Sequence, residues 1–347
     1  HHEVQVVDIG KKTYRQGVDS FSRIVQVLWL AARVAVLSPR SEAVYFTIAQ
    51  SVAGNLRDVL LYFVCLPKLK RMAIHLHGGA AMSRLLSSAH PWLKLLNGFF
   101  LRRVGAVIVL GERLAPIYNG IVAPERIFRV GNFAEDQLFR SRAEVDAKFV
   151  SARPLRLLFL SNLLPGKGHR ELVGAIRLLP ANVRDAVTID FAGGFETTQD
   201  ETDFRASLVG LPCLFFRGSV SGVDKVELFG RAHLFCLPTY YPYEGQPISI
   251  LEAYASGCAV LTTDHGGIFD TFTPEANGFC VEKRSAASIA AAIERAVRDP
   301  EVVRTMALRN LATAERFRVS RYNEEILAIV ERLGSLGSEK AAQLSGG

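Results

Sequence analysis

The sequence predicts an α/β protein made of two doubly wound parallel-sheet domains that face a central cleft. Three observations lead there. The chain has 347 residues, more than one ordinary domain uses. Short, nearly continuous apolar runs alternate with longer stretches of helical spacing, the pattern of parallel strands buried on both faces. The alternation comes in two series with a charged stretch between them.

In the first series the strand-like runs are "VQVVDI" (4–9), "AVYFTIA" (43–49), "RMAIHLH" (71–77), "AVIVLG" (106–111) and "IFRVGN" (127–132). The second contains "LRLLFLSN" (155–162), "VTIDFAGG" (187–194), "CLFFRGS" (213–219), "LFCLPT" (234–239), "AVLTTD" (259–264) and "GFCVE" (278–282). The charged stretch at 134–154 reads as a linker. The first domain is therefore expected over 1–145 and the second over 146–335, with the last helix able to pack back on the first domain. The Gly/Ser-rich end, 336–347, reads as a flexible tail.

Hydrophobic residues make up 49% of the chain and charged residues 22%, enough apolar material for two cores. The formal net charge of +7 favours anionic partners such as nucleotides, phosphates or an anionic membrane face. Its cations are dispersed and form no basic–aromatic module, which argues against nucleic acid. The five cysteines are never spaced C-x-x-C and sit among apolar or small neighbours. That argues against a zinc site or a disulfide framework and for a reducing, cytoplasmic compartment. The longest apolar stretch, 24–37, is interrupted by Gln26 and Arg33 and is too short to span a bilayer. His1 and His2 are set aside as a ragged start.

Ligands of open α/β sheets bind at the carboxyl ends of the strands, so the loops there hold the candidate residues. "FLSNLLPGKGHRELVGAI" (159–176) is a strand, a glycine-containing loop and a helix. Glycines let backbone N–H groups approach a ligand, the helix N-terminus favours anions, and Lys167 adds a full charge; together they suit a diphosphate. It is not a Walker A loop. "YEGQPISILEAYASG" (243–257) places Glu244 in a loop and Glu252 inside an apolar helix that begins near Pro247. Ile248, Leu251, Tyr254 and Ala255 are read as that helix's buried face. Two carboxylates with helix-terminal N–H groups between them match an extended ligand with hydroxyls at both ends and a diphosphate in the middle, a nucleotide sugar. A glutamate inside an apolar helix is costly without a partner.

The E-x7-E spacing of "EGQPISILE", followed by "AYASGCAVLTTDHGG", resembles the donor-site signature of retaining glycosyltransferase family 4, which has the GT-B fold of two Rossmann-like domains. "FFRGSV" (215–220), "LFCLPT", "PEANGFCVE" (274–282), "IHLHGG" (74–79) and "IFRVGNFAED" resemble other segments of that family, specifically over 156–282 and diffusely over 4–150. The resemblance implies a metal-independent hexosyltransferase of bacterial glycan assembly, acting with retention on a UDP- or GDP-linked sugar, without a cofactor. Catalytic roles would fall to His77, Glu244 and Lys167. His75 is the alternative to His77. The donor would meet Asn162, Gly168, Val220, Gly245, Gln246, Pro247, Ile248, Ser249 and Glu252, the last on the ribose. The first domain would be the acceptor side, for a glycan or lipid-linked acceptor. A sugar-nucleotide epimerase or hydrolase, or a non-catalytic sugar-nucleotide-binding subunit, is the alternative.

The sequence departs from the family in three places. Asn162 lies near the position of a usual arginine, so neutralisation would rest on Lys167, aided by Arg217 or His169. Asp270 of "GGIFD" stands where the family has glutamate. The opening residues resemble the family's second strand, not its first. Outside the motifs, "HPWLKLLNGFFLRR" (90–103) is apolar and aromatic with basic residues. It reads first as a sheet-covering helix, with peripheral contact at the inner membrane face as the alternative.

Overall fold

The computed structural model describes residues 3–8, 20–87, 91–150 and 153–345. The chain divides into two units: unit 1 comprises 1–130 and 324–347, and unit 2 comprises 131–323. The division falls at Val130/Gly131, ahead of the 145/146 boundary expected from the sequence.

Unit 1 holds a four-stranded parallel sheet. Its strands are β1 (Val44–Thr47), β2 (Met72–Leu76), β3 (Ala106–Val109) and β4 (Ile127–Arg129), adjacent in that order. The register pairs Phe46 with Ile74, Ile74 with Val107, and Ile108 with Phe128. All of β2 and β3 is buried, as continuous apolar runs require when helices cover both faces. The helices are α1 (Ser20–Leu37), α2 (Val52–Val64), α3 (Ala80–Leu85) and α4 (Pro91–Leu101). Ser51 caps α2 by accepting from the Gly54 N–H. Residues 3–8 form no strand, and Val4 and Val6 are exposed. The strand expected at 4–9 is thus absent over its described part: apolar alternation makes a strand only where a sheet edge completes its hydrogen bonds.

Unit 2 opens with α5 (Arg142–Phe149), where a linker was expected. The sequence "SRAE" is a capping box: Ser141 accepts from the Glu144 N–H, and Glu144 accepts from the Ser141 N–H. Val145 and Phe149 of this helix are buried. Six parallel strands follow: β5 (Leu155–Leu160), β6 (Val187–Ala192), β7 (Leu214–Phe216), β8 (Leu234–Leu237), β9 (Ala259–Thr262) and β10 (Gly278–Cys280). Between and after them run α6 (His169–Leu178), α7 (Ala181–Arg184), α8 (Thr198–Ser207), α9 (Gly222–Arg231), α10 (Ile248–Ala255), α11 (Ala286–Arg298) and α12 (Pro300–Ala314). The sheet order is β10-β9-β8-β5-β6-β7. Numbered within the unit this is the 3-2-1-4-5-6 order of dinucleotide-binding sheets. The order reverses between β5 and β8, where Leu157 lies opposite Leu234, so the loops leaving these two strands open side by side. Phe159, Phe191 and Phe235 are fully buried beneath them, and truncating any one to alanine is expected to cost about 3–5 kcal/mol.

The last helix, α13 (Val319–Ser345), starts in unit 2 and continues in unit 1. It runs through most of the region expected to be a flexible tail. Both sheets are parallel, as the sequence predicts; the unit 2 sheet is doubly wound, while the described strands of unit 1 run in sequential order without a reversal. Among the described residues no helix is long and apolar enough to cross a membrane.

Candidate functional site

The loop after β5 carries Lys167 and the loop after β8 carries Glu244. Because the two strands are neighbours, residues 77 apart in sequence meet: Lys167 Nζ lies 2.7 Å from Glu244 Oε2. Both side chains are about nine-tenths buried, at 12% and 9% exposure. Thr239 Oγ1 donates to the same carboxylate oxygen at 3.0 Å, and Lys167 also sits 4.7 Å from the Tyr241 ring centroid, a cation–π contact. Both contacts fall on Oε2, so Oε1 of Glu244 is the atom able to accept from a ligand hydroxyl.

The backbone around this pair is held by glycines. Gly168 has φ +87°, and a Cβ there would lie 2.3 Å from the Pro238 carbonyl oxygen. Gly266 has φ +53° and would place a Cβ 2.6 Å from the Glu244 carbonyl oxygen. Only glycine fits either position. The Gly267 N–H donates to Gly245 O at 2.8 Å, and His265 Nε2 lies 2.7 Å from Tyr241 O, so the 264–267 turn braces the loop that presents Glu244.

Helix α10 begins after Pro247, which is its N-cap, as expected. Pro247 and Gly245 are buried and Ser249 is partly buried. Ile248 is 44% exposed, not part of the buried face predicted for it; Leu251, Tyr254 and Ala255 are buried. A first-turn residue has no preceding turn to pack against, so helical periodicity overreaches there. Gln246 is tied down: its Oε1 accepts from the Asn132 N–H at 2.6 Å, and its carbonyl accepts from Asn132 Nδ2 at 2.8 Å.

Glu252 lies buried in α10, and its partner is one the sequence reading missed. Lys225 Nζ, on α9, is 2.5 Å from Glu252 Oε1 and 2.8 Å from Glu135 Oε1. Burial pushes the Glu252 carboxyl up, against the pull of Lys225. Burial draws the Lys225 amine down, but its bonds to the two carboxylates outweigh this and hold it above its ordinary value. Glu135, bonded to Lys225 and Gln137, is held below the usual carboxylate range. Glu252 thus repeats the arrangement of Glu244: one carboxylate oxygen takes a lysine and the other remains able to accept.

Other expected residues are placed as follows. Gly168 is buried in the β5–α6 turn, Asn162 is exposed and Val220 is partly buried against the unit 2 core. The two suggested helpers of Lys167 are engaged elsewhere. Arg217 bonds Asp190 at 2.6 Å, alongside Arg231. His169 is buried among Phe159, Phe195 and Phe204, and burial pulls its pKa down to about 4.

His77 belongs to unit 1. It is exposed just after β2, its ring 3.9 Å from that of His75. His75 is fully buried, with Nδ1 2.6 Å from the Tyr45 hydroxyl. Burial, and secondarily the neighbouring His77, lower its pKa to about 3. His75 is therefore held neutral, while His77 is the one that meets solvent. Gln50 lies against Gly78, where a Cβ would collide with its amide; its buried Oε1 has no partner among the described residues.

A sheet of this order with lysine-paired carboxylates near its switch point has the build of nucleotide-binding α/β units. Residues 142–310, just under half of the chain, match the family model of glycosyl transferases, group 1. Over 194 residues the chain is 27% identical to N,N'-diacetylbacillosaminyl-diphospho-undecaprenol alpha-1,3-N-acetylgalactosaminyltransferase of Campylobacter jejuni, covering 55% of this chain and 46% of that protein. It is 27% identical over 150 residues to the capsular polysaccharide biosynthesis glycosyltransferase CapM of Staphylococcus aureus, covering 43% and 38%. The matched part thus spans less than half the length of these relatives. In fold, the chain resembles Anabaena HepE solved with UDP, with a TM-score of 0.71, 18% identity, and 89% and 84% of the two chains covered. It also resembles sucrose-phosphate synthase from Thermosynechococcus elongatus, with a TM-score of 0.68, 17% identity, and 94% and 81% covered. The fold is that of GT-B glycosyltransferases.

Proposed function

We propose that the protein is a retaining, metal-independent glycosyltransferase that moves a sugar from a UDP- or GDP-linked donor to a glycan or lipid-linked acceptor. The observation that carries this reading is the meeting of Lys167 and Glu244 at the switch point of the unit 2 sheet, with the lysine-held Glu252 eight residues further on. The Campylobacter relative's undecaprenol-linked acceptor supports the lipid-linked alternative among acceptors. The five cysteines are all free, in keeping with a reducing cytoplasm.

In this reading the ribose hydroxyls bond the open oxygen of Glu252 and the transferred sugar bonds Glu244. The diphosphate lies at the N-terminus of α10, where helix-end N–H groups favour negative charge. Lys167 is shared between Glu244 and the diphosphate, and stabilises the charge that develops as the leaving group departs. Glu244 positions the sugar and is not a nucleophile. The leaving phosphate takes the acceptor's proton on the face it vacates, which gives retention. His77 and the neighbouring Gln50 are assigned to the acceptor-side unit.

A thermal-shift panel of UDP, GDP, ADP and their sugar conjugates, with and without EDTA, tests the donor site. Saturation at a hundredfold excess over Kd stabilises the native state by about 2.7 kcal/mol. One nucleotide raising Tm equally with and without EDTA is expected. A shift abolished by EDTA would end the metal-independent reading, and no shift would end the donor site. The anomeric configuration of the transferred sugar, read by NMR, tests retention.

A further inference from the structure

We propose that the outward face of α4 docks unit 1 on an anionic lipid surface. The charge distribution is the first argument. Between residues 59 and 111 there are seven cations, Lys68, Lys70, Arg71, Arg84, Lys94, Arg102 and Arg103, and no aspartate or glutamate. The formal net charge of the whole chain is also +7, so the remainder balances and the entire surplus belongs to this stretch of unit 1. Lys94, Arg102 and Arg103 are exposed, and none of the three has a carboxylate partner among the described residues.

The second argument is apolar exposure in the same place. Trp92 is 53% exposed, Leu95 76% and Phe99 46%. Their spacing of three and four puts them on one side of the helix, with Arg102 and Arg103 on that side at its end and Lys94 about 100° round from Leu95. The Arg103 guanidinium lies 3.8 Å from the Phe99 ring centroid. The opposite side of α4 carries Leu93, Asn97, Phe100 and Leu101, all buried. The expected sheet-covering helix is therefore present, and it has a second apolar face.

That outward face is fixed in direction. Asn97 and Asn55 exchange two side-chain hydrogen bonds, at 2.8 and 3.0 Å, inside the α2–α4 contact, and Asn97 also donates to Leu93 O. A buried amide pair of this kind sets one register, because rotating α4 would strand both amides. Exposed aromatic and aliphatic side chains with Arg102 and Arg103 on the same side, in a stretch that contains no acid, suit the boundary between anionic headgroups and acyl chains. The purpose of the docking rests on the lipid-linked acceptor reading; the docking itself does not.

The experiment uses the full chain and vesicles of phosphatidylcholine alone or with about one-third phosphatidylglycerol. Co-sedimentation with the anionic vesicles only, lost at high salt, is expected. The chain has two tryptophans, Trp29 on α1 and Trp92 on α4, both exposed, and they separate the helices. The vesicle-induced blue shift of fluorescence should survive in Trp29→Phe and vanish in Trp92→Phe. Arg102→Gln with Arg103→Gln should weaken partition about 25-fold, and Leu95→Glu should abolish it with the circular-dichroism melt unchanged. No sedimentation, equal binding to neutral vesicles, or a shift that follows Trp29 would overturn the proposal. So would a dimer in solution that Leu95→Glu makes monomeric, since the face would then belong to a second copy. A protein that docks yet gives no sugar to a lipid-linked acceptor would refute that acceptor and leave the surface standing.

Discussion

In unit 2 the charges at the candidate site are settled inside the fold: Lys167 against Glu244, and Lys225 against Glu135 and Glu252. Lys148 goes further, donating at 2.8 Å to the carbonyls of Ala232 and Ser256, which cap α9 and α10, so a part-buried cation is satisfied there without an acid. Unit 1 has a stretch of 53 residues, 59–111, whose seven cations meet no acid within it, and its exposed aromatic residues stand among them. Internal pairing costs each ion its hydration and is recovered only in one geometry, which makes a preorganised small-molecule site. Exposed charge such as that of Lys94, Arg102 and Arg103 stays hydrated and acts over a Debye length, which suits a broad, soft partner. Two sheets of similar build thus differ in where their charge is answered.

The largest test of this contrast is Glu244→Gln. It keeps the shape, frees Lys167 and removes the charge from the proposed sugar contact; transfer should fall about 10³-fold, with the melting temperature little changed. Activity within a few-fold of wild type would remove Glu244 from the site. Next comes Lys148→Met, which leaves two helix ends without their cation. Charged hydrogen bonds contribute about 1.5–3 kcal/mol each, so urea unfolding should show a loss of about 3 kcal/mol. A neutral result would show that the α5 amine merely fills space.

Lys225→Met tests the ribose role proposed for Glu252. Without its lysine, Glu252 takes up a proton more readily, since burial already raises its pKa. Calorimetry should give about tenfold weaker nucleoside-diphosphate binding near neutral pH, recovering as pH rises and the carboxylate ionises. Equal loss at every pH would assign Lys225 a direct contact in place of a positioning role.

The smallest effect concerns three buried histidines held neutral: His75 in unit 1, with a pKa lowered to about 3, and His169 and His233 in unit 2, each lowered to about 4. Their folded pKa values lie below the ordinary 6.5, so the unfolded chain binds more protons as pH falls below it. Stability is then intact above about pH 6.5 and is lost toward pH 4, by about 1 kcal/mol per histidine between pH 6.5 and 5.5. His169→Phe, which removes an unpartnered buried Nδ1 from an aromatic cage, should flatten that slope. An unchanged slope would show that other groups set it.

The strands, the Pro247 helix start and the Glu244–Glu252 spacing were legible because each is written within a few consecutive residues. The strand expected at 4–9 was not, since a strand is a property of two segments and only one was in view. Lys225 and Glu135 are 90 positions apart, and nothing local marks them as a pair; only the fold brings them to Glu252. Helix α5 is the opposite case: its capping box is plain in "SRAE", and the charge of the surrounding stretch obscured it. The exposure of Trp92, Leu95 and Phe99 could not be read from "HPWLKLLNGFFLRR", which is apolar all round and could have been buried all round.

The path of α13 sets the terms for recombining such proteins. Unit 2 is an insert in the connectivity of unit 1, entered at Val130/Gly131 and left at Asn323/Glu324. A chimaera that swaps unit 2 as a cassette therefore needs two seams, not one. The first is in irregular chain, between the Val130 N–H bond to Val109 O and the Asn132 bonds to Gln246. The second lies within a continuous helix, where adding or removing one residue turns everything downstream by about 100°. Only exchanges that keep the helical phase at that seam would return Ile329 and Leu333, both buried, to the packing of unit 1.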